Sequence, residues 1–139
     1  MVALAVLMPI VASMGGNAGT QTMTVAVRAL ATRELSSANA WRVIRRELMV
    51  GVLNGIAFAL IMAVIAAAWF HVTDLGIVIA LAMVTVLAAA ALGGILIPLV
   101  LIRLGVDPAV SSGPFVTTVT DVVGFFSFLG IATLWFGLK

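Results

Sequence analysis

The chain has 139 residues, of which 64% are hydrophobic and 9% charged, and its formal net charge is +2. With a mean hydropathy of +1.33, this composition belongs to a polytopic membrane protein and excludes a soluble domain. The sequence pI near 10.6 reflects few charges rather than a basic surface. Five of the seven basic residues lie between Arg28 and Arg46, too few and too localised for a nucleic-acid interface. The chain has no Cys, so disulfides and thiolate metal sites are excluded.

Four apolar segments predict an all-α membrane protein, a single four-span helical bundle over 1–139 with spans at about 2–27, 48–70, 75–102 and 114–138. Each can cross a hydrocarbon core of ~30 Å at ~1.5 Å per residue. The first span is two-faced. Ser13, Asn17, Thr20, Gln21, Thr24 and Arg28 form one polar stripe at helical spacing, and Ala12, Gly15, Gly19 and Ala26 form the opposite one. The small-residue stripe suits close contact with another helix. The polar stripe suits water, or hydrogen bonds to neighbouring helices. The adjacent Gly15 and Gly16 could also break the helix locally and expose carbonyls to a cavity.

The loop after the first span carries Arg28, Arg33, Arg42, Arg45 and Arg46, and the third loop carries Arg103. The second loop, around His71 and Asp74, has neither Lys nor Arg. By the positive-inside rule the arginine loops are cytoplasmic and both termini lie outside, in the plasma (inner) membrane. A short amphipathic helix is expected at about 37–47, with Trp41, Ile44 and Leu48 on one face and Arg42, Arg45 and Arg46 on the other. Such a helix lies in the headgroup region and contacts membrane lipids. In the second span, Gly51 and Gly55 flank Asn54 and read as a packing face. In the third, Gly93, Gly94 and Pro98 predict a kink.

The fourth span holds the one ionisable side chain deep inside an apolar segment, Asp121. A carboxylate at that depth is costly unless it faces protein, water or a cation. Pro114 reads as the first helical residue, capped by Ser111, Ser112 or Gly113. Pro114, Thr117, Thr118, Gly124 and Phe125 lie near Asp121 by helical arithmetic, and Asp121 itself sits about 11 Å up the helix from Pro114, toward the cytoplasmic side. Oxygen ligands without sulfur or imidazole suit a hard cation such as Mg²⁺. One carboxylate cannot strip such an ion of water, but two copies of Asp121 across a dimer axis would hold a hydrated one. A proton relay normally needs a second titratable group, and no span offers one. His71 reads as a loop residue and Asp107, before Pro108, as a helix or turn cap. No nucleophile–base pair, cofactor fingerprint or HExxH motif points to an enzyme.

Four segments together resemble the MgtE family of magnesium channels: Pro9 to Gln21 with its Gly15-Gly16-Asn17 core, Arg28 to Arg33, Arg103 to Pro108, and Gly113 to Asp121. The likeness runs in order over essentially the whole chain. It implies an MgtE-like transmembrane domain forming a homodimer, with a cation pore at the subunit interface lined by the first and fourth spans. Asp121 is then the pore carboxylate, and the Thr117 carbonyl faces the ion. Asn17, Gln21, Gly15, Gly16, Thr20, Thr24, Pro114, Thr118 and Gly124 are the expected pore lining. Mg²⁺ is the transported ion, Co²⁺, Ni²⁺ or Mn²⁺ lesser ones, and no organic cofactor is implied. The family has five spans and regulatory cytoplasmic N-terminal and CBS domains; this chain shows four spans and lacks the first span and those domains. A Na⁺- or H⁺-coupled Mg²⁺ exchanger and a non-conducting membrane scaffold are the alternative expectations.

Overall fold

The computed structural model describes residues 2–137 and contains four long helices: α1 (Val2–Ala31), α2 (Ala40–Phe70), α3 (Thr73–Arg103) and α4 (Pro108–Phe136). All four are long and apolar enough to cross a membrane, so the chain is a multi-pass membrane protein. Leu138, the last residue of the fourth expected span, and Lys139 lie outside the described residues. Successive helices run antiparallel, which puts Arg28, Arg42, Arg45, Arg46 and Arg103 at one end of the bundle. We call this the arginine end.

α3 is the scaffold. It contacts all three other helices, whereas α1 and α2 barely touch each other. More than half of its most apolar stretch is buried, against about a tenth for α2. The buried positions of α4 are Ser112, Val116, Thr120, Gly124, Phe128 and Ala132, a strict four-residue repeat. Leu7, Val11, Gly15 and Gly19 follow the same repeat on α1. Such rows pack ridge into groove and wind slowly around the helix, because four residues overshoot a 3.6-residue turn. The main apolar cluster joins Leu4, Leu7 and Val11 to Val78, Ile79, Met83, Val86 and Phe128.

Small residues let the helices approach closely. A Cβ on Gly94 would lie 2.7 Å from Thr22 Cβ and 2.9 Å from the Gly19 carbonyl, so α1 and α3 meet backbone to backbone there. On the other side of α3, a Cβ on Gly51 would lie 2.9 Å from the Leu87 carbonyl. Gly94 therefore marks the crossing of α1 and α3, and α3 continues through Pro98 to Arg103.

Two sequence expectations shift. The separate helix at 37–47 is instead the opening of α2, which runs unbroken from Ala40; Trp41 is exposed, while Ile44 and Leu48 are only half-buried. The fourth helix starts at Pro108 rather than Pro114, because Asp107 supplies the cap: its carboxylate accepts the Ala109 N–H at 2.9 Å. Pro108 occupies the first helical turn, where its missing N–H costs nothing, and Pro114 lies inside the helix. His71 closes α2 in the left-handed region, φ 55°, which His tolerates better than most non-glycine residues.

Candidate functional site

Asp121 projects from the outer surface of the bundle and is exposed in the single subunit. With α4 starting at Pro108, Asp121 lies ~20 Å along the axis by residue rise, close to the middle of the helix rather than toward one end. Its exposure follows from the four-residue repeat. The buried ridge carries Thr120 and Gly124 inward and leaves Pro114, Thr117, Thr118 and Asp121 on the outside. Exposed Phe115, Val122 and Phe126 flank this strip, so a carboxylate and two threonines are framed by apolar side chains.

The threonine hydroxyls are tied to backbone oxygens. Thr118 Oγ1 donates to the Pro114 carbonyl at 2.7 Å. Thr117 Oγ1 lies 3.1 Å from both the Gly113 and the Pro114 carbonyls. Each hydroxyl spends its proton inward and keeps its lone pairs for an outside donor or cation. The Thr117 carbonyl, which the resemblance turns toward the ion path, accepts the Thr120 hydroxyl at 3.0 Å besides its helical N–H. The exposed Thr117 side chain adds its hydroxyl to the outer strip.

Thr120 is the residue that sequence reasoning passed over. It is fully buried and sits where α1 crosses α4: a Cβ on Gly16 would lie 3.8 Å from Thr120 Oγ1, and one on Gly15 3.5 Å from Thr120 Cβ. The Gly-Gly-Asn segment of α1 is therefore level with Asp121, and Thr120 links the two. The available signal was its neighbour: the residue beside an outward carboxylate, four residues before Gly124 and eight after Ser112, faces the next helix.

The other expected residues divide. Gly15 and Gly124, expected in the pore lining, are buried within the subunit: a Cβ on Gly15 would lie 2.5 Å from Val86 Cγ2, and one on Gly124 3.1 Å from Ala12 Cα. Their lack of a side chain serves helix contact. Gly16 is half-buried at the α1–α4 seam. Thr20 and Thr24 are exposed and linked by a 2.8 Å bond from the Thr24 hydroxyl to the Thr20 carbonyl. Asn17 and Gln21 are also exposed, but they reach a cavity of about 430 Å³ between α1 and α2, where they meet Thr22, Glu47 and Asn54. This cleft exists because α1 and α2 each pack on α3 and not on each other. Among the described residues no three His, Cys, Asp or Glu side chains cluster to hold a metal. One subunit presents Asp121 as a lone carboxylate.

The family model of the MgtE divalent cation transporters matches residues 8–131. The chain belongs to this family. Similar curated proteins include the magnesium transporter MgtE of Enterococcus faecalis (39% identical), of Bacillus subtilis (36%) and of Thermus thermophilus (39%). Each likeness extends over 95% of this chain but 29% of the relative, so the chain spans under a third of their length. The family is one of transporters, not enzymes, in line with the missing catalytic motifs.

Proposed function

We propose that the chain forms the ion-conducting membrane part of a Mg²⁺ channel, working as a homodimer in which two copies of the Asp121 strip face a shared wet path. The observation that carries this reading is the exposed carboxylate in the middle of a membrane-spanning helix. Against lipid it would be costly; opposite its own copy and a hydrated divalent cation, the cost is relieved. The names of the similar proteins support magnesium as the ion. The arginine end is assigned to the cytoplasmic side of the inner membrane by its charge.

Mg²⁺ demands a near-ideal octahedral shell at ~2.1 Å and loses water reluctantly. Two carboxylates and the Thr117 hydroxyls are too few to replace that shell, so the ion passes hydrated, with Asp121 oxygens about 4 Å from it across one water layer. Cobalt(III) hexammine, which keeps its six ligands, should compete at this site. A potential of 100 mV drives a divalent ion with about 4.6 kcal/mol, twice the single-charge value, so inward flow needs no second substrate.

The deciding experiment is Mg²⁺ uptake by vesicles containing the 139-residue chain under a potassium-diffusion potential. Uptake that follows the potential and ignores Na⁺ and pH gradients is expected. Uptake that needs either gradient identifies an exchanger, and potential-independent background uptake identifies a scaffold.

A further inference from the structure

We infer that the opening turns of α2 form a binding site for an anionic phospholipid, with Arg42, Arg45 and Arg46 holding the phosphate and the helix face beyond them holding an acyl chain. The three arginines share an outward groove of about 260 Å³ with Met49, Val50 and Leu53. All six residues are exposed. Arg42, Arg46, Met49 and Leu53 recur at three- and four-residue spacing, so they form one stripe along the helix. Ile56, Leu60 and Val64 continue the stripe and are exposed as well. One face of α2 thus changes from cationic to apolar within two turns, at the arginine end of a membrane-spanning helix.

That order matches a phospholipid lying along the helix, anionic at its head and apolar below. A free phosphate or a nucleotide would leave the apolar half of the groove unused. The unbroken run of α2 from Ala40 to Phe70 fixes the arginines directly above Met49 and Leu53, which a separate surface helix would not do. Trp41, 72% exposed, lies one residue before the first arginine, at the depth where aromatic side chains mark the headgroup layer. The nearest acidic side chain on this helix, Glu47, turns into the α1–α2 cleft and does not line the groove. The groove therefore keeps its full positive charge. Arginine, with a planar fork of donors, also suits a phosphate better than a point charge does.

The test titrates the purified 139-residue chain in detergent with phosphatidylglycerol or phosphatidylcholine and counts retained lipid by native mass spectrometry. Phosphatidylglycerol should be retained at tenfold or more lower concentration than phosphatidylcholine. Each Arg→Gln change among R42Q, R45Q and R46Q should weaken retention about fivefold, equivalent to about 1 kcal/mol per arginine at an anionic surface. L53N should weaken it too while leaving the charges in place, and millimolar inorganic phosphate should not displace the lipid. Since all these side chains point outward, the variants should unfold at the wild-type temperature. Equal retention of the two lipids, an undiminished preference in the triple Gln variant, or displacement by inorganic phosphate would overturn the assignment. The last result would make the groove a free-anion site, and either of the first two would leave the arginines to a protein partner.

Discussion

α3 and α4 are similar in length, 31 and 29 residues, yet they face opposite surroundings. α3, the most apolar of the four, is the most buried: Val78, Ile79, Ala82, Met83, Val86 and Ala90 are closed off entirely. α4 hides one narrow ridge and turns Asp121, Thr117 and Thr118 outward. A soluble protein would bury its apolar helix and expose its polar one because of water. In a membrane lipid is as apolar as a leucine side chain, so close van der Waals packing must hold the scaffold together. The glycine and alanine contacts of α3 provide it. A polar strip left on the outside is then a surface waiting for water, an ion or another copy.

The sharpest way to break this contrast is at Asp121. Asp121→Asn should lower Mg²⁺ uptake by two orders of magnitude or more, since two unit charges about 4 Å apart interact by on the order of 4 kcal/mol at an effective dielectric of 20. The unfolding midpoint should hardly move, because the side chain is exposed in its own subunit; normal flux in a folded variant would refute the assignment. On α3 the pattern should invert. Gly94→Ala pushes a Cβ against the Gly19 carbonyl and should cost about 1–3 kcal/mol as an overpacked contact, read as a lowered midpoint in detergent. Gly93→Ala meets Val119 Cγ1 at 3.6 Å and Ile97 Cδ1 at 3.8 Å, both ordinary van der Waals contacts. It should be neutral or slightly stabilising, by up to ~1 kcal/mol of helix propensity. A similar loss from both would mean that α1 and α3 do not cross at Gly94.

Smaller effects test the helix ends. Asp107→Ala removes the carboxylate that accepts from Ala109 and should cost about 1 kcal/mol, whereas Ser111→Ala should not. A reversed ranking would return the start of α4 to Pro114. His71→Gly relieves a non-glycine residue at φ 55° and should raise the midpoint slightly, by at most about 1 kcal/mol. A lowered midpoint would show that the imidazole has a partner worth more than the strain.

The four helices were legible because long apolar runs leave few alternatives, and Gly15 and Gly19 announced the packing face of α1. The beginning of α4 is not legible because two prolines compete for the first turn; Asp107 decides between them only through its bond from the Ala109 N–H. That choice also moved Asp121 to mid-helix. Asn17 and Gln21 were read with Thr20 and Thr24 as one polar stripe. Which helix lies beside each edge of the stripe depends on α2 packing on α3 rather than on α1, and no periodicity within α1 encodes that. The glycines at 15 and 124 show the same limit: a family motif marks a position, while packing decides whether it faces a pore or a neighbouring helix.

In the proposed channel two copies meet through the face of α4 that carries Asp121. The chain has no native cysteine, so a spin label can be placed at Thr118→Cys, beside the carboxylate, or at Val64→Cys, on the outward face of α2. Distances between subunits, measured by double electron–electron resonance in bilayers, should be shorter for the Thr118 pair by about two helix diameters, ~20 Å. A Val64 pair closer than the Thr118 pair would place the shared face on α2 and contradict the account.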